Sequence, residues 1–327
     1  MIKFFRQSYA IQYVVIALMA IALWLPSFVD GNFAVDSSDP VVPVYNLIAW
    51  IFGFSRYVQL IFAFLLLVFN TLIFNTMLVN NQIVGKVSTM GAFVFVLLMS
   101  LTRAQIGFYP FALSVFFILL AISNLFDIYL MPNPEINLLR VGLFVGLASM
   151  CYFPAIVLVL WVLAALPIAK KGSLRLQLIP IAGFLCVYFF YFVGVFLFGD
   201  FQTTLSGYRD YFTSFRLTTA GFNLKNISLL SVLVVAVAFL YFGSDNANFE
   251  KTIAVRTKIS MTFIMLAVAV FLLFVGGNVL MNGLIFIVLS VIVAYVFSYM
   301  GNTGWANLFL VVFLLLVFAN HYYFKLL

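Results

Sequence analysis

The chain has 327 residues, of which 66% are hydrophobic and only 8% are charged, and its formal net charge is +7. Soluble domains are about half apolar and about a quarter charged, so this chain has too little polar surface to cover a folded core in water. The composition therefore excludes a soluble enzyme, a secreted disulfide scaffold and a disordered protein. It predicts an all-α, polytopic integral membrane protein.

The first apolar run follows Lys3 and Arg6 and ends near Asp30. A signal peptide would have a cleavage site of small residues after such a run, and none is present. We expect an uncleaved first helix whose start stays in the cytoplasm, because basic residues resist translocation.

Apolar runs of roughly 20 residues predict the spanning helices. The stretch 137–168 is too long for one helix and contains Pro154, which removes an intrahelical hydrogen bond, so we expect a hairpin of two short helices. The run 89–101 is also short, and short membrane helices are tolerated where protein or a water-filled cavity shields them. The prediction is about eleven spans, at 11–29, 57–78, 89–101, 109–130, 137–151, 154–168, 176–199, 227–243, 259–277, 279–300 and 306–324.

The charges predict how these helices are oriented. The basic loops 169–175 and 244–258 should be cytoplasmic, and the loops 30–56 and 200–226 should then lie outside. The chain reads as a single transmembrane domain over 1–327. Within the first outer loop, Tyr45 and Trp50 belong to an apolar segment too short to span, which predicts an interfacial helix on the outer leaflet.

Charged residues gather on the predicted outer side. Aspartates at the mouth of a membrane cavity can act as general bases, and arginines bind phosphate through two parallel hydrogen bonds. The alternative is that these are ordinary interfacial charges that pair with lipid phosphates or with one another, and Asp39, followed by Pro40, also fits a helix start. The candidate catalytic residues are Asp30 and Asp36, and the candidate phosphate-binding residues are Arg56, Arg103, Arg209 and Arg216.

No metal site and no cofactor are predicted. The two cysteines, Cys151 and Cys186, lie in apolar runs without metal-ligand spacing, and the single histidine, His321, cannot build a cluster alone. Nucleic acid is not expected as a partner, because the basic residues fall at the ends of apolar runs, where topology explains them.

A few polar and small residues lie inside the apolar runs. Asp127 is near the predicted cytoplasmic end of its helix, where water or Arg140 can reach it, which favours a structural role. Asn70 and Asn75 are expected to form hydrogen bonds between helices, and the pattern Gly142-Leu-Phe-Val-Gly146 is typical of close helix packing.

The segment from about Phe64 to Phe192 contains Gly142-Leu-Phe-Val-Gly-Leu-Ala-Ser-Met-Cys-Tyr-Phe-Pro-Ala155, then a basic loop, then Leu178-Ile-Pro-Ile-Ala-Gly-Phe184. This order resembles an uncharacterised family of polytopic inner-membrane proteins from Bacteroidota. The layout is also similar to the C-type glycosyltransferases, which use polyprenyl-phosphate-linked sugars at the outer leaflet. That resemblance implies an acidic position at Asp30 or Asp36, a juxtamembrane helix near Tyr45 and a bacterial inner-membrane location.

Two functions follow as hypotheses. The first is a transferase-like protein that acts on a polyprenyl-phosphate-linked sugar, with membrane lipids and that carrier lipid as its partners. The second is a non-catalytic subunit of a cell-envelope secretion, insertion or assembly complex, bound to other inner-membrane proteins. The paired Asp-Glu of many C-type enzymes is absent here, and this favours the second hypothesis. A deep cavity between the first outer loop and Arg103 would favour the first.

Overall fold

The computed structural model describes residues 2–7, 9–30, 42–51, 55–85, 87–101, 105–214, 253–276, 282–299, 303–319 and 322. These residues form α-helices joined by short 3-10 segments and turns, and no strand occurs within these ranges. The all-α prediction is confirmed for this part of the chain. The helices are α1 (Ile2–Phe5), α2 (Ala10–Asp30), α3 (Pro43–Ile51), α4 (Arg56–Asn80), α5 (Met90–Met99), α6 (Pro110–Asp127), α7 (Glu135–Cys151), α8 (Leu158–Ile168), α9 (Leu174–Phe198), α10 (Phe201–Ser214), α11 (Ile253–Gly276), α12 (Asn282–Tyr299) and α13 (Thr303–Ala319).

Five of the described helices are long and apolar enough to cross a membrane, and several others are apolar but shorter. This fits a membrane protein. The count of about eleven spans stays a prediction, and its span 227–243 lies outside the described residues. The five long segments are Ala10–Val29, Tyr57–Asn80, Pro110–Asp127, Leu174–Phe198 and Ile253–Leu272.

One end of the helix bundle, which we call the basic end, collects most of the described cations. The Arg6 side chain donates to the carbonyl oxygen of Phe297 over 2.8 Å, and partial burial lowers the pKa of this guanidinium. At the same end, Lys258 donates to the carbonyl of Asn81 and Lys171 to that of Met131. The basic loop 169–175 and the start of α11 therefore lie at the same end as the N-terminus.

The opposite end of the bundle is held by aromatic and hydrogen-bonded contacts. The Trp24 indole donates to Ser100 Oγ over 3.1 Å, and the ring of Phe111 packs edge-on against Tyr152. Tyr208 of α10 packs against Phe153. The last residues of α2, α5 and α7 and the first residues of α6 therefore meet here, together with α10.

The predicted hairpin at 137–168 is confirmed. A 3-10 segment, Phe153–Val157, contains Pro154 and separates α7 from α8. α7 and α9 run parallel, because Ser149 bonds to Tyr188 near one end while Glu135 pairs with Arg175 at the other. Since both helices start at the basic end, α8 must carry the chain back to that end between them. Arg140 and Lys170 thus lie on the same side of the bundle.

Two helices form the centre of the bundle. Every residue of α5 is buried, and so are the residues of α12 from Leu284 to Phe297. The two helices pack against each other. The expectation that neighbours shield the short helix near 89–101 is therefore confirmed.

Candidate functional site

The predicted charged site falls largely outside what the structure describes. Asp36, Arg103 and Arg216 are not among the described residues. Asp30 is the last residue of α2 and Arg56 the first residue of α4, so their backbones lie at the opposite end of the bundle. Arg209 is exposed on α10 at that same end. The shared end agrees with the predicted clustering, while the distances among these side chains stay open.

The predicted interfacial helix in the first outer loop is present as α3. Its Trp50 is 81% exposed, as an interfacial anchor should be. Tyr45 behaves differently from the expectation: its side chain is buried, its ring stacks on Phe108 at 5.0 Å, and its hydroxyl donates to the Phe108 carbonyl over 3.2 Å. α3 is therefore fixed against the segment that leads into α6.

A narrow, partly open cavity lies beneath this region, with about 330 Å³ of empty space between α2, α4, α5 and α6. Its walls are mostly apolar and aromatic, and its polar side chains are uncharged. The cavity begins at Gln105, two residues after Arg103. It is lined by Trp24, Ala63, Leu66, Leu67, Asn70, Phe95, Met99, Gln105, Gly107, Tyr109, Ala112 and Val115.

Two amide side chains in this cavity lack the partners that buried amides normally have. Gln105 is 3% exposed, and neither its Nε2 nor its Oε1 forms a hydrogen bond. Asn70 is also 3% exposed, and its Oδ1 has no partner. An unpaired buried polar group costs about 1–3 kcal/mol, so natural proteins keep such groups mainly where something else binds them. The cavity is therefore the best candidate for a ligand site in the described structure.

The second predicted interhelical asparagine, Asn75, is fully used by the fold. Its Nδ2 donates to Tyr13 Oη over 3.2 Å and to the Ser88 carbonyl over 3.1 Å, and its Oδ1 accepts from the Ala92 backbone N–H. The expectation is thus confirmed for Asn75. Asn70 faces the cavity with an unpaired acceptor instead.

A buried cation at the basic end was not expected from the sequence. Lys258 was placed in a cytoplasmic loop, but it lies within α11 and is 4% exposed. Its Nζ donates to the Asn81 carbonyl over 3.4 Å, and its charge attracts that of Asp127. The group ties α4, α6 and α11 together, which supports the structural role expected for Asp127.

The other chemistry in the described part of the chain is sparse. No group of three or more His, Cys, Asp or Glu side chains there could hold a metal ion. No family model matches the chain, and comparisons with curated proteins and with solved structures found no significant match. The functional argument therefore rests on the cavity and on the charges around it.

Replacing Gln105 by leucine is expected to raise the free energy of unfolding by about 1–3 kcal/mol, because the change removes an unpaired amide and keeps the side chain's size. Denaturant unfolding of the purified protein in mild detergent measures this. Gln177→Leu is the matched control, since the Gln177 amide already donates to the Gly172 carbonyl over 3.3 Å at the surface. A loss of stability in Gln105→Leu as large as the predicted gain would show that the amide is paired.

Proposed function

We propose that the chain is a multi-pass protein of the bacterial inner membrane with its basic end in the cytoplasm. The support is the distribution of charge: Lys3, Arg6, Lys171, Arg175 and Lys258 all lie towards one end of the helices. Basic residues next to spanning helices are retained on the cytoplasmic side, which makes this end the inner one.

A cysteine at position 173 should resist labelling from outside intact cells, whereas a cysteine at position 206 should react. Ser173 and Ser206 are both exposed, the first at the basic end and the second on α10 at the opposite end. A membrane-impermeant maleimide added before and after permeabilisation measures the difference. Labelling of Ser173→Cys in intact cells would reverse the proposed orientation.

We further propose that the protein is transferase-like and acts on a polyprenyl-phosphate-linked sugar at the outer face. The observation that carries this proposal is the cavity at the opposite end, beneath α3 and beginning two residues after Arg103. A cavity between the first outer loop and Arg103 is what the transferase hypothesis requires.

The proposed chemistry divides the charged residues into two roles. Arg103, Arg209 and Arg216, with Arg56, hold the phosphate, because several aimed donors are needed to stabilise its charge. Asp30 or Asp36 takes the proton from an acceptor hydroxyl as that oxygen bonds to the sugar's anomeric carbon. The bond from this carbon to the phosphate oxygen breaks, and the carrier phosphate leaves with the electron pair.

The second candidate function is a non-catalytic subunit of a cell-envelope complex. One observation favours it: among the described lining residues of the cavity, none is acidic or basic. α9 also presents large apolar side chains over most of its surface, including Phe189, Phe190 and Phe196. Such a helix can contact lipid or the helices of a partner equally well.

Binding of a fluorescent polyprenyl-phosphate sugar to the purified full chain in mild detergent tests the first function against the second. Arg103→Ala should weaken binding about tenfold, because a charge-assisted hydrogen bond to phosphate is lost. Arg140→Ala, an exposed arginine near the basic end, is the control and should not change binding. Equal binding by both variants, together with a protein that co-purifies in fixed proportion, would favour the complex subunit.

A further inference from the structure

The side of the cavity between α4 and α6 is held apart by two aromatic pairs. The rings of Phe62 and Phe108 are 5.4 Å apart, and those of Phe69 and Phe116 are 5.8 Å apart. The two helices therefore run parallel, and each pair closes the seam between them at one level. One turn of helix beyond the first pair, the seam is bordered by Leu66 and by the small side chain of Ala112.

This stretch of the seam opens to the exterior of the bundle. Leu66 and Ala112 are the only partly exposed residues among those that line the cavity, and the others are buried. The α4 residues beside the opening, Ile61, Leu65 and Phe69, are each about half exposed. Since α4 is a long apolar helix, this exterior is the surface that meets hydrocarbon, and the opening is lateral.

Above the opening, on the side of the opposite end, the way is covered. Phe108 packs against Phe62 and is stacked from the other side by Tyr45 of α3. A ligand that came from the membrane would pass between Phe62 and Phe69 and reach Gln105 and Asn70 inside. It would enter along its hydrocarbon chain.

The polar atoms inside define the chemistry of this ligand. Gln105 offers an unpaired donor and an unpaired acceptor, and Asn70 offers an unpaired acceptor. A hydroxyl group can donate one hydrogen bond and accept two, so it satisfies both kinds of atom. A carbonyl group would leave both amide oxygens unpaired, a pure hydrocarbon would leave all three atoms unpaired, and no basic lining residue would neutralise a charged group.

We propose that this cavity binds a lipid chain bearing an uncharged hydroxyl group, which enters laterally between α4 and α6 and is held by Gln105 and Asn70. The volume of about 330 Å³ is at the small end of ligand sites, which suits one chain end. The inference rests on the proposed function in one respect, that the ligand is a membrane lipid. It does not require transfer of a sugar.

The test uses the full-length protein in lipid nanodiscs and two photoactivatable probes. One is a long-chain alcohol with a diazirine in its chain, and the other is the matching hydrocarbon without the hydroxyl group. Mass spectrometry locates the labelled residues. The alcohol should label peptides that contain residues 63–70 and 105–115 about tenfold more efficiently than the hydrocarbon, since one to two hydrogen bonds separate them.

Three variants assign the preference to the structure. Gln105→Leu should remove the preference for the alcohol, while labelling by the hydrocarbon is kept. Ala112→Phe fills the seam and should reduce labelling by both probes, with Ala112→Leu as a milder version if the first does not fold. Leu65→Phe is the control: Leu65 is next to the seam but 59% exposed, so labelling inside the cavity should not change.

Equal labelling by the two probes in the wild-type protein would overturn the proposal, and so would the absence of cavity labelling in a folded protein, which would indicate water. Preferential labelling by a diazirine-bearing polyprenyl phosphate would also overturn it, because the site would then take a charged group. If the alcohol labels as expected but the purified protein binds no polyprenyl-phosphate sugar, the inference stands and the proposed transferase function fails.

Discussion

Replacing Gly142 by alanine is expected to lower the free energy of unfolding by about 3 kcal/mol, because overpacking at this site cannot be relieved by a side chain. A Cβ atom at Gly142 would overlap the carbonyl oxygen of Pro180 and would lie 2.8 Å from its carbonyl carbon. Both atoms belong to the backbone of α9. The clash can be relieved only if α7 and α9 move apart along their shared length.

Denaturant unfolding in mild detergent measures this change, with Gly194→Ala as the control. Gly194 lies on the same helix, α9, and a Cβ atom there would meet nothing within 4 Å. Because alanine is a better helix former than glycine, the control should be neutral or slightly more stable. If both variants unfold at the same denaturant concentration as the wild type, the tight contact between α7 and α9 is wrong.

Replacing Asn75 by alanine is expected to lower the free energy of unfolding by about 2–3 kcal/mol, since the change leaves buried backbone groups without partners. The amide of Asn75 bonds to the Ser88 carbonyl, to the Ala92 N–H and to Tyr13. Ala92 is in the first turn of α5, where a backbone N–H has no partner within the helix. Loss of Asn75 therefore loosens α5 from both α2 and α4.

Asn70→Ala is the matched control for this second experiment. Asn70 lies on the same helix and is equally buried, but its Oδ1 has no partner. Its replacement should leave stability unchanged or raise it, and it should weaken binding of the long-chain alcohol. Similar losses from Asn70→Ala and Asn75→Ala would contradict the distinction between a structural asparagine and a ligand-facing one.

Local sequence patterns predicted several features of this fold correctly. The pattern from Gly142 to Gly146 predicted close packing, and both glycines do face α9, at Pro180 and at Val187 respectively. Pro154 predicted the break between α7 and α8, because proline is tolerated at the first positions of a new helical segment but not within one. These features depend on a few neighbouring residues, which is why a single sequence reveals them.

The cavity and the buried lysine could not be predicted in the same way. Gln105 and Asn70 lie 35 positions apart, and only the pairing of α4 with α6 brings them to one cavity. Gln105 did carry a weak signal, because it follows Arg103 between two short apolar runs. Lys258 looked like a loop cation, and only the packing of α11 against Asn81 and Asp127 buries it. Pairing of distant helices leaves no pattern within either helix.

The buried position of α5 has a consequence for how the chain is assembled. α5 has only ten residues, and its main partner besides α4 is α12, which belongs to the last part of the chain to be synthesised. During synthesis α5 therefore reaches the bilayer long before the helix that will cover it. Until α12 arrives, α5 must rest against α4 and α2 in a thinned bilayer or beside the insertion machinery. Release of the C-terminal helices, and not of the first ones, is thus the event that completes the core.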